Sequence, residues 1–305
     1  MLQFFARRVV VAVLVGLTVL SISFALTRLS GDLAISIAGP NATAEDIAQV
    51  RQNYGLDRPL PVQFADWVGH AATGDLGQSY FYKGSVAGLI GERLPVTFTL
   101  GLVGLTIALA VALPLGIFAA LHEGDAIDRL ASLLAMIGQA MPSFWLGLVL
   151  MITLGLKLQW LPISGTGSWE NYVMPGVALA FTGIPALMRL TRTGMIEALA
   201  ADYIRTARAN GLRRTSIVLK HALRNAAMPV VSIAAVQFGH MLGGSIVIEV
   251  VFALHGIGYL GWESILKNDF PVVQAVVLLL ATIYVGLTLL ADLLNAVLDP
   301  RLRAT

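Results

Sequence analysis

The chain has 305 residues, 57% of them hydrophobic and 12% charged. A soluble domain carries about a quarter charged residues, so the composition excludes a water-soluble globule and points to a membrane protein. The net charge is only +2, which argues against a nucleic-acid partner, and the absence of cysteine removes disulfides, thiolate metal sites and cysteine nucleophiles.

Residues 1–8 are a short basic start, and residues 9–27 then run without a charge. That length is close to the roughly 20 residues needed to cross about 30 Å of hydrocarbon. A cleaved signal peptide has an apolar core of about 7 to 15 residues and a small-x-small site. This run is longer and reaches Arg28 without such a site, so it is read as an uncleaved span. Residues 30–93 are too long and too polar for a mere connection. Residues 44–54 are expected to form a surface helix, with Thr43 as N-cap and Asp46 three residues on, and Asp57-Arg-Pro-Leu-Pro61 a turn. Asn41-Ala-Thr43 matches a glycosylation sequon, a triplet frequent by chance.

Five more uncharged runs follow at 94–121, 130–156, 171–188, 225–248 and 270–291, which gives an all-α polytopic protein with six transmembrane helices. Pro114, Pro142, Pro175 and Pro185 lie in or near these spans, compatible either with simple kinks or with a bundle around a pathway. The link from His122 to Arg129 is short, so the second and third spans are antiparallel neighbours. With the amino terminus inside, thirteen Lys and Arg lie on the cytoplasmic side and seven outside, four of those in the long loop where charge has little topological effect. Both termini are therefore expected in the cytoplasm.

The polar stretch 189–228 holds Arg189, Arg192, Arg205, Arg208, Arg213, Arg214, Lys220 and Arg224. At its centre, residues 200–212 read as a short amphipathic helix with Ile196, Leu199, Tyr203 and Ala207 on one face and Arg205 and Arg208 off it. Gly211 is the natural terminator, because it can take the left-handed conformation of a helix end.

No Gly-Lys dipeptide occurs, so there is no phosphate-binding P-loop. Gly256-Ile-Gly-Tyr-Leu-Gly261 matches the glycine pattern of dinucleotide binders, but it lies between two spans and outside any βαβ unit, so it is read as a tight turn. His70, His122, His221, His240 and His255 are too scattered for a helical zinc pair, and no metal site is expected. There is no Gly-x-Ser-x-Gly elbow. Ser245 in Gly243-Gly-Ser-Ile could serve an intramembrane protease, but paired small residues at that depth more often let helices pack closely. Glu249 and Asp292 fall at span ends and are expected to anchor at the interface or on a polar partner. Asn225, Gln237, His240, Ser245, Glu249 and Asn295 are the candidate pathway or gate residues.

The central motif and its flanks carry a resemblance. Arg205-Thr-Ala207 stands where Glu-Ala-Ala is usual, Gly211 follows, and His221-Ala-Leu-Arg-Asn-Ala-Ala-Met-Pro229 closes the segment. Similar groups recur along the chain: Gly31-Asp32, Tyr54-Gly-Leu-Asp-Arg-Pro59, Gly74-Asp-Leu-Gly77, Glu92-Arg-Leu-Pro95, Pro142-Ser-Phe-Trp145, Gln159-Trp-Leu-Pro162, Gly243-Gly-Ser245 and Asp299-Pro-Arg301. In these the chain resembles the permease subunits, specifically the first or B-type permease, of bacterial ABC importers of the dipeptide, oligopeptide and nickel group. Arg205 departs from the motif glutamate, Pro229 lies further on than usual, and Leu33 stands where proline is usual.

The resemblance implies a type I importer permease fold in the bacterial inner membrane. It comprises a first span at 1–29, the outer loop 30–93 and a permease core 94–305 containing the coupling loop 189–228. It further implies that Asp202, Tyr203, Arg205, Thr206, Ala207, Arg208, Gly211 and Leu212 form a coupling helix seated in an ATPase subunit. Two ATPase subunits would hold ATP and Mg, with no cofactor in this chain, beside a second, C-type permease and an extracytoplasmic substrate-binding protein. The expected cargo is di- or oligopeptides, with glutathione or nickel chelates as alternatives. The long loop and its Tyr80, Phe81, Tyr82 cluster are the expected docking surface for the binding protein. A self-sufficient channel or proton-coupled carrier stays open as another class; it would need charge relays or an inverted repeat.

Overall fold

The computed structural model describes residues 2–29, 32–39 and 41–298. Gly31, Asp299-Pro-Arg301 and Arg303 lie outside the described residues, as does the side chain of Asn295. Among the described residues the chain is helical without a strand, apart from one isolated bridge between Gln78 and Ser85.

The elements are α1 (Leu2–Leu29), α2 (Leu33–Ala38), α3 (Ala44–Asn53), α4 (Leu60–Ala72), α5 (Val86–Leu121), α6 (Ala126–Ala140) and α7 (Ser143–Leu150). There follow α8 (Val173–Ala200), α9 (Asp202–Ala209), α10 (Arg214–Ser216), α11 (Leu223–Val251), α12 (Ile257–Leu266) and α13 (Phe270–Leu298). Wide-turn helix continues α7 over Met151–Lys157 and joins α10 to α11 over Ile217–Ala222.

Long helices follow from the solvent, since in hydrocarbon each backbone polar group must be satisfied within its own segment. Among the described residues four helical stretches are long and apolar enough to cross a membrane: Val86–Leu121, Trp169–Ala200, Arg214–Val251 and Phe270–Leu294. The uncharged run 130–156, expected as one span, is broken: Ala126–Ala140 and Ser143–Lys157 meet at 96°. Pro142 explains the bend, because it lacks an N–H and disfavours the helical region for the residue before it. Met141 is accordingly extended, at φ −84° and ψ 123°. The expected first span falls in helix α1, where the apolar stretch Val13–Arg28 is shorter than these four, so the described residues give four spans, or five if the bent pair is one, against the six expected.

The chain divides into two compact units, residues 98–254 with 286–298, and residues 2–97 with 255–285. In the first, small residues let helices approach closely. A Cβ on Gly116 would stand 2.7 Å from Thr191 Cβ and 2.8 Å from the Met188 carbonyl oxygen, and one on Gly194 would meet Ala226 at 3.3 Å. In the second, Val86, Ile90, Ile257, Leu260, Val272 and Val276 form a buried cluster. The glycine-rich run 256–261 is the start of α12, not the tight turn its composition implies. Its glycines serve packing, since a Cβ on Gly261 would come within 3.1 Å of Val276. Buried Thr97 accepts the Ile257 N–H at 2.7 Å, so the first turn of α12 is satisfied from α5.

The expected surface helix is α3, with the full capping box of Thr43 and Asp46. After the turn at 54–57 the chain forms α4, an element absent from the expectation because Pro59 and Pro61 read as turn residues. Pro61 sits in the helix's first turn, where its missing N–H costs nothing.

One ion pair ties α6 to α8. Arg192 donates to both carboxylate oxygens of Asp128, at 2.5 and 2.7 Å, and Asp128 is 5% exposed. Breaking such a pair leaves a charge without its partner, whereas removing both groups is milder. Arg192, 27% exposed, keeps access to water, so Asp128→Ala is expected to destabilise by about 1.5 kcal/mol. Asp128→Ala with Arg192→Met should recover more than half of that loss, as thermal melts in detergent can check.

Candidate functional site

The stretch 189–228, expected as a loop, is helical except at Ala201 and residues 210–213. α8 carries Arg189 and Arg192 to its end at Ala200, and Arg189 donates to Gln139 Oε1 at 2.8 Å. Ala201 is extended, at φ −70° and ψ 150°, and α9 starts in a new direction.

That break resets the helical phase. Tyr203, placed on the inward face by counting through a continuous helix, is 42% exposed, while Ile204 is fully buried. Ile204 and Ala207 enter a cluster with Met195, Ala198, Ile217, Val218 and Ala222, which fastens α9 to α8 and to the segment leading into α11. The other side is open: Asp202 and Arg205 side chains are 93% and 83% exposed and 3.4 Å apart, a contact worth little in water. Asn225, grouped by sequence with the pathway, donates to the Tyr203 hydroxyl at 2.7 Å and so belongs to the α9 seat.

α9 ends as the glycine predicts. Gly211 has φ +76°, its N–H bonds the Arg208 carbonyl at 3.0 Å, and the Leu212 N–H bonds the Ala207 carbonyl at 3.2 Å. These are the two bonds of a Schellman end, with the left-handed residue at glycine. Beside this end Arg208, Leu212, Arg214, Leu121 and Glu123 border a hollow of about 710 Å³. Thr206 is exposed, its hydroxyl 3.2 Å from the Asp202 carbonyl.

The remaining pathway candidates divide by face of α11. His240, Gly243, Gly244 and Val247 are exposed at spacings of three and four, so they share one side. Gln237 borders that side, half-buried. Among the described residues no atom lies within 4 Å of a Cβ built on Gly243 or Gly244, so neither glycine is packed closely against another helix there. Ser245 and Glu249 lie on the opposite, fully buried face, with the Ser245 hydroxyl 3.0 Å from Glu249 Oε1 and 2.8 Å from the Leu242 carbonyl. Glu249 is thus not at an interface, and a hydroxyl so enclosed is not placed to act as a protease nucleophile.

The aromatic cluster 80–82 is organised by residues that the sequence did not flag. Asp269, fully buried, accepts from the Ser79 hydroxyl at 2.5 Å and from the Tyr80 and Phe81 N–H groups at 3.1 and 3.2 Å. Lys267 lies 3.5 Å over the Phe81 ring and bonds Glu263 at 2.6 Å, and the Tyr82 hydroxyl donates to the same carboxylate. Lys267 first, and Tyr82 second, hold the Glu263 carboxyl below its ordinary range. Its contribution is therefore present above the ordinary carboxylate pKa and is lost as pH falls through the depressed value. Burial, then Glu263, pushes the Tyr82 phenol up. The only sequence signal was a lone Lys-Asn-Asp before an apolar run. Among the described residues no group of three His, Asp or Glu could hold a metal ion.

Comparison with known proteins agrees along nearly the whole chain. Residues 112–304 match the family described as binding-protein-dependent transport system inner membrane component, and residues 1–101 match its N-terminal companion family. The glutathione transport system permease protein GsiC of Salmonella typhimurium is 42% identical over 275 residues, covering 90% of each chain. GsiC of Escherichia coli K12 is 40% identical over the same coverage. Among solved structures, the MetNI methionine ABC transporter in an inward-facing form superposes with a TM-score of 0.59 at 19% identity, covering 69% of this chain and 96% of that one. This last likeness concerns the fold.

Asp269→Ala should leave two N–H groups without their acceptor, at about 1–3 kcal/mol for each group left buried. The expected outcome is faster amide exchange at Tyr80 and Phe81 and faster tryptic cleavage after Lys83, with α8 to α11 unchanged.

Proposed function

The chain belongs to the family of binding-protein-dependent transport system inner membrane components, ABC importer permeases of the bacterial inner membrane, and from this we propose that it forms half of a translocation path for short peptides driven through α9. The observation that carries the reading is that α9 is buried on one side in the core of the permease and exposed on the other. A helix held only by topology needs no such seat; a lever does. ATP and Mg belong to two partner ATPase subunits, one of which receives Tyr203, Arg205, Arg208 and Leu212 in a cleft. The termini and α9 lie in the cytoplasm, and the segment 30–93 lies outside, where Phe81 and its neighbours meet the substrate-binding protein.

Force applied to α9 has a continuous route. Ile204 and Ala207 pass it to Ile217 and Val218, and the helix continues unbroken into α11. The open face of α11 at His240, Gly243, Gly244 and Val247 is poor lipid-facing surface, since an imidazole is costly in hydrocarbon. It lines the path with the matching face of a second, C-type permease. The relatives' name makes glutathione, itself a tripeptide, the first cargo to test, with other di- and oligopeptides next.

Gly211→Val forces a β-branched residue into the left-handed region, at about 1–2 kcal/mol. It and Ala207→Trp are expected to lower co-purification of the ATPase and abolish transport while membrane insertion is kept; unchanged co-purification counts against α9 as the lever. Gly244→Trp should do the reverse, blocking uptake with the ATPase still bound.

Proteoliposomes holding both permeases, the ATPases and the binding protein are expected to take up labelled glutathione only with ATP. Uptake that follows a proton gradient and ignores ATP indicates a self-sufficient carrier.

A further inference from the structure

A groove of about 310 Å³ opens in the unit formed by residues 2–97 and 255–285, between the second half of α1, α12 and the start of α13. Val19, Ile22, Ser23, Leu26 and Thr27 line it from α1 at spacings of three and four, so they form one helical face. Phe270, Val273 and Val277 line it from α13 with the same spacing. A different side of α1 is already packed: Phe24 meets the Phe64 ring edge to face at 5.4 Å and the Trp67 ring at 6.3 Å. The two groove helices are tied at one end, where Gln274 donates to the Thr27 hydroxyl at 2.7 Å.

The groove has an apolar end and a polar end. Val19 and Val277 stand at the first, and Thr27 and Asn268 at the second, about 12 Å away by the helical rise. Thr27 is answered, since its hydroxyl also donates to the Phe24 carbonyl at 2.8 Å. Asn268 is exposed, and its side-chain amide hydrogen-bonds nothing among the described residues. The rim is accessible and apolar: Ile22, Leu26 and Ile265 are 54%, 57% and 61% exposed. Such a surface is costly in water and ordinary in hydrocarbon.

Width decides what fits. Dividing the volume by the depth gives a cross-section of about 26 Å². A helix with its side chains is about 10–12 Å across, or roughly 80–110 Å², so a helix of a partner subunit is too thick to enter. Water needs two to four polar partners, which the apolar length of the groove does not offer. A single methylene chain meets apolar walls along its length and an amide donor at its ester end.

We propose that this groove is a lipid site, which holds one acyl chain of an outer-leaflet phospholipid with its chain end at Val19 and Val277 and its ester carbonyl at the Asn268 amide. The bound chain supplies the close packing that fixes α1 beside α13, which one hydrogen bond does not. The inference rests on the orientation proposed above, in which residues 30–93 lie outside.

The test uses the complete transporter, both permeases with their ATPases, in phosphatidylcholine nanodiscs. A small fraction of the lipid carries a diazirine at the chain terminus or, in a parallel sample, beside the ester. After irradiation the labelled residues are mapped by mass spectrometry. The terminal diazirine is expected to label Val19 and Val277, and the one beside the ester Ile265 and Asn268. Val273→Trp fills much of the groove and should lower labelling at both ends by about tenfold, the scale of two lost methylene contacts. Labelling spread evenly along α1, or unchanged in Val273→Trp, overturns the proposal. If Val273→Trp fails to assemble, Val277→Trp at the exposed rim replaces it, and the order of the two labels on the unaltered protein decides. Ile265→Cys carrying a benzophenone separates the other occupants, because the natural chain has no cysteine. Capture of phospholipid there supports the site, and capture of the second permease or the binding protein in its place overturns it. Lys83→Cys tests the orientation separately with a membrane-impermeant maleimide. Labelling from outside without lipid in the groove sinks the lipid site and leaves the orientation standing. Labelling only from the cytoplasmic side sinks the orientation itself.

Discussion

The burial of Ile204 and Ala207 is the contact on which the proposed coupling depends. Both side chains leave water completely or nearly so, and they enter a cluster that includes α8 on one side and the segment entering α11 on the other. Each fully buried aliphatic side chain contributes about 1.5–3 kcal/mol. An eight-residue helix is too short to persist in water on its own. The cluster is what keeps α9 both formed and aimed, and close packing makes it transmit displacement instead of absorbing it. Without that seat, the positive charge of the region would still orient the chain in the membrane but could not move it.

Much of this was legible in the sequence, for identifiable reasons. Four of the expected spans follow from uncharged length, and the Gly211 stop and the Thr43 capping box follow from backbone chemistry that only a few residue types satisfy. What misled the reading was continuity. Counting by three and four through residue 201 put Tyr203 inward, whereas an extended alanine, which no sequence rule marks, shifts that role to Ile204. The same fault made 130–156 one span, in which Pro142 was read at most as a kink and not as the 96° break it makes. Asp269 was invisible for another reason: its partners Ser79 and Tyr80 lie about 190 positions away, and local pattern carries no information on contacts at that separation.

The buried acids show how the chain handles charge in a low-dielectric setting. An isolated carboxylate there is costly, so each must find donors. Asp128 finds a guanidinium across two helices, Asp269 finds a hydroxyl and two backbone N–H groups, and Glu249 finds the Ser245 hydroxyl one turn away. The first two fix the geometry of separate elements, because the donors come from elsewhere in the chain. Glu249 also accepts from a hydroxyl one turn back on its own helix.

α11 therefore combines two requirements that rarely coincide on one helix. Its Ser245 and Glu249 side is fully buried, whereas His240 and Gly244 lie on an exposed side. A helix facing lipid on its open side would gain from Leu or Ile at these positions, and glycine there lowers intrinsic helix stability by about 1 kcal/mol relative to alanine. The cost makes sense where another backbone or a passing solute must come close. In the proposed mechanism, motion of α9 would reach that open face through the same helix, past Pro229 inside it.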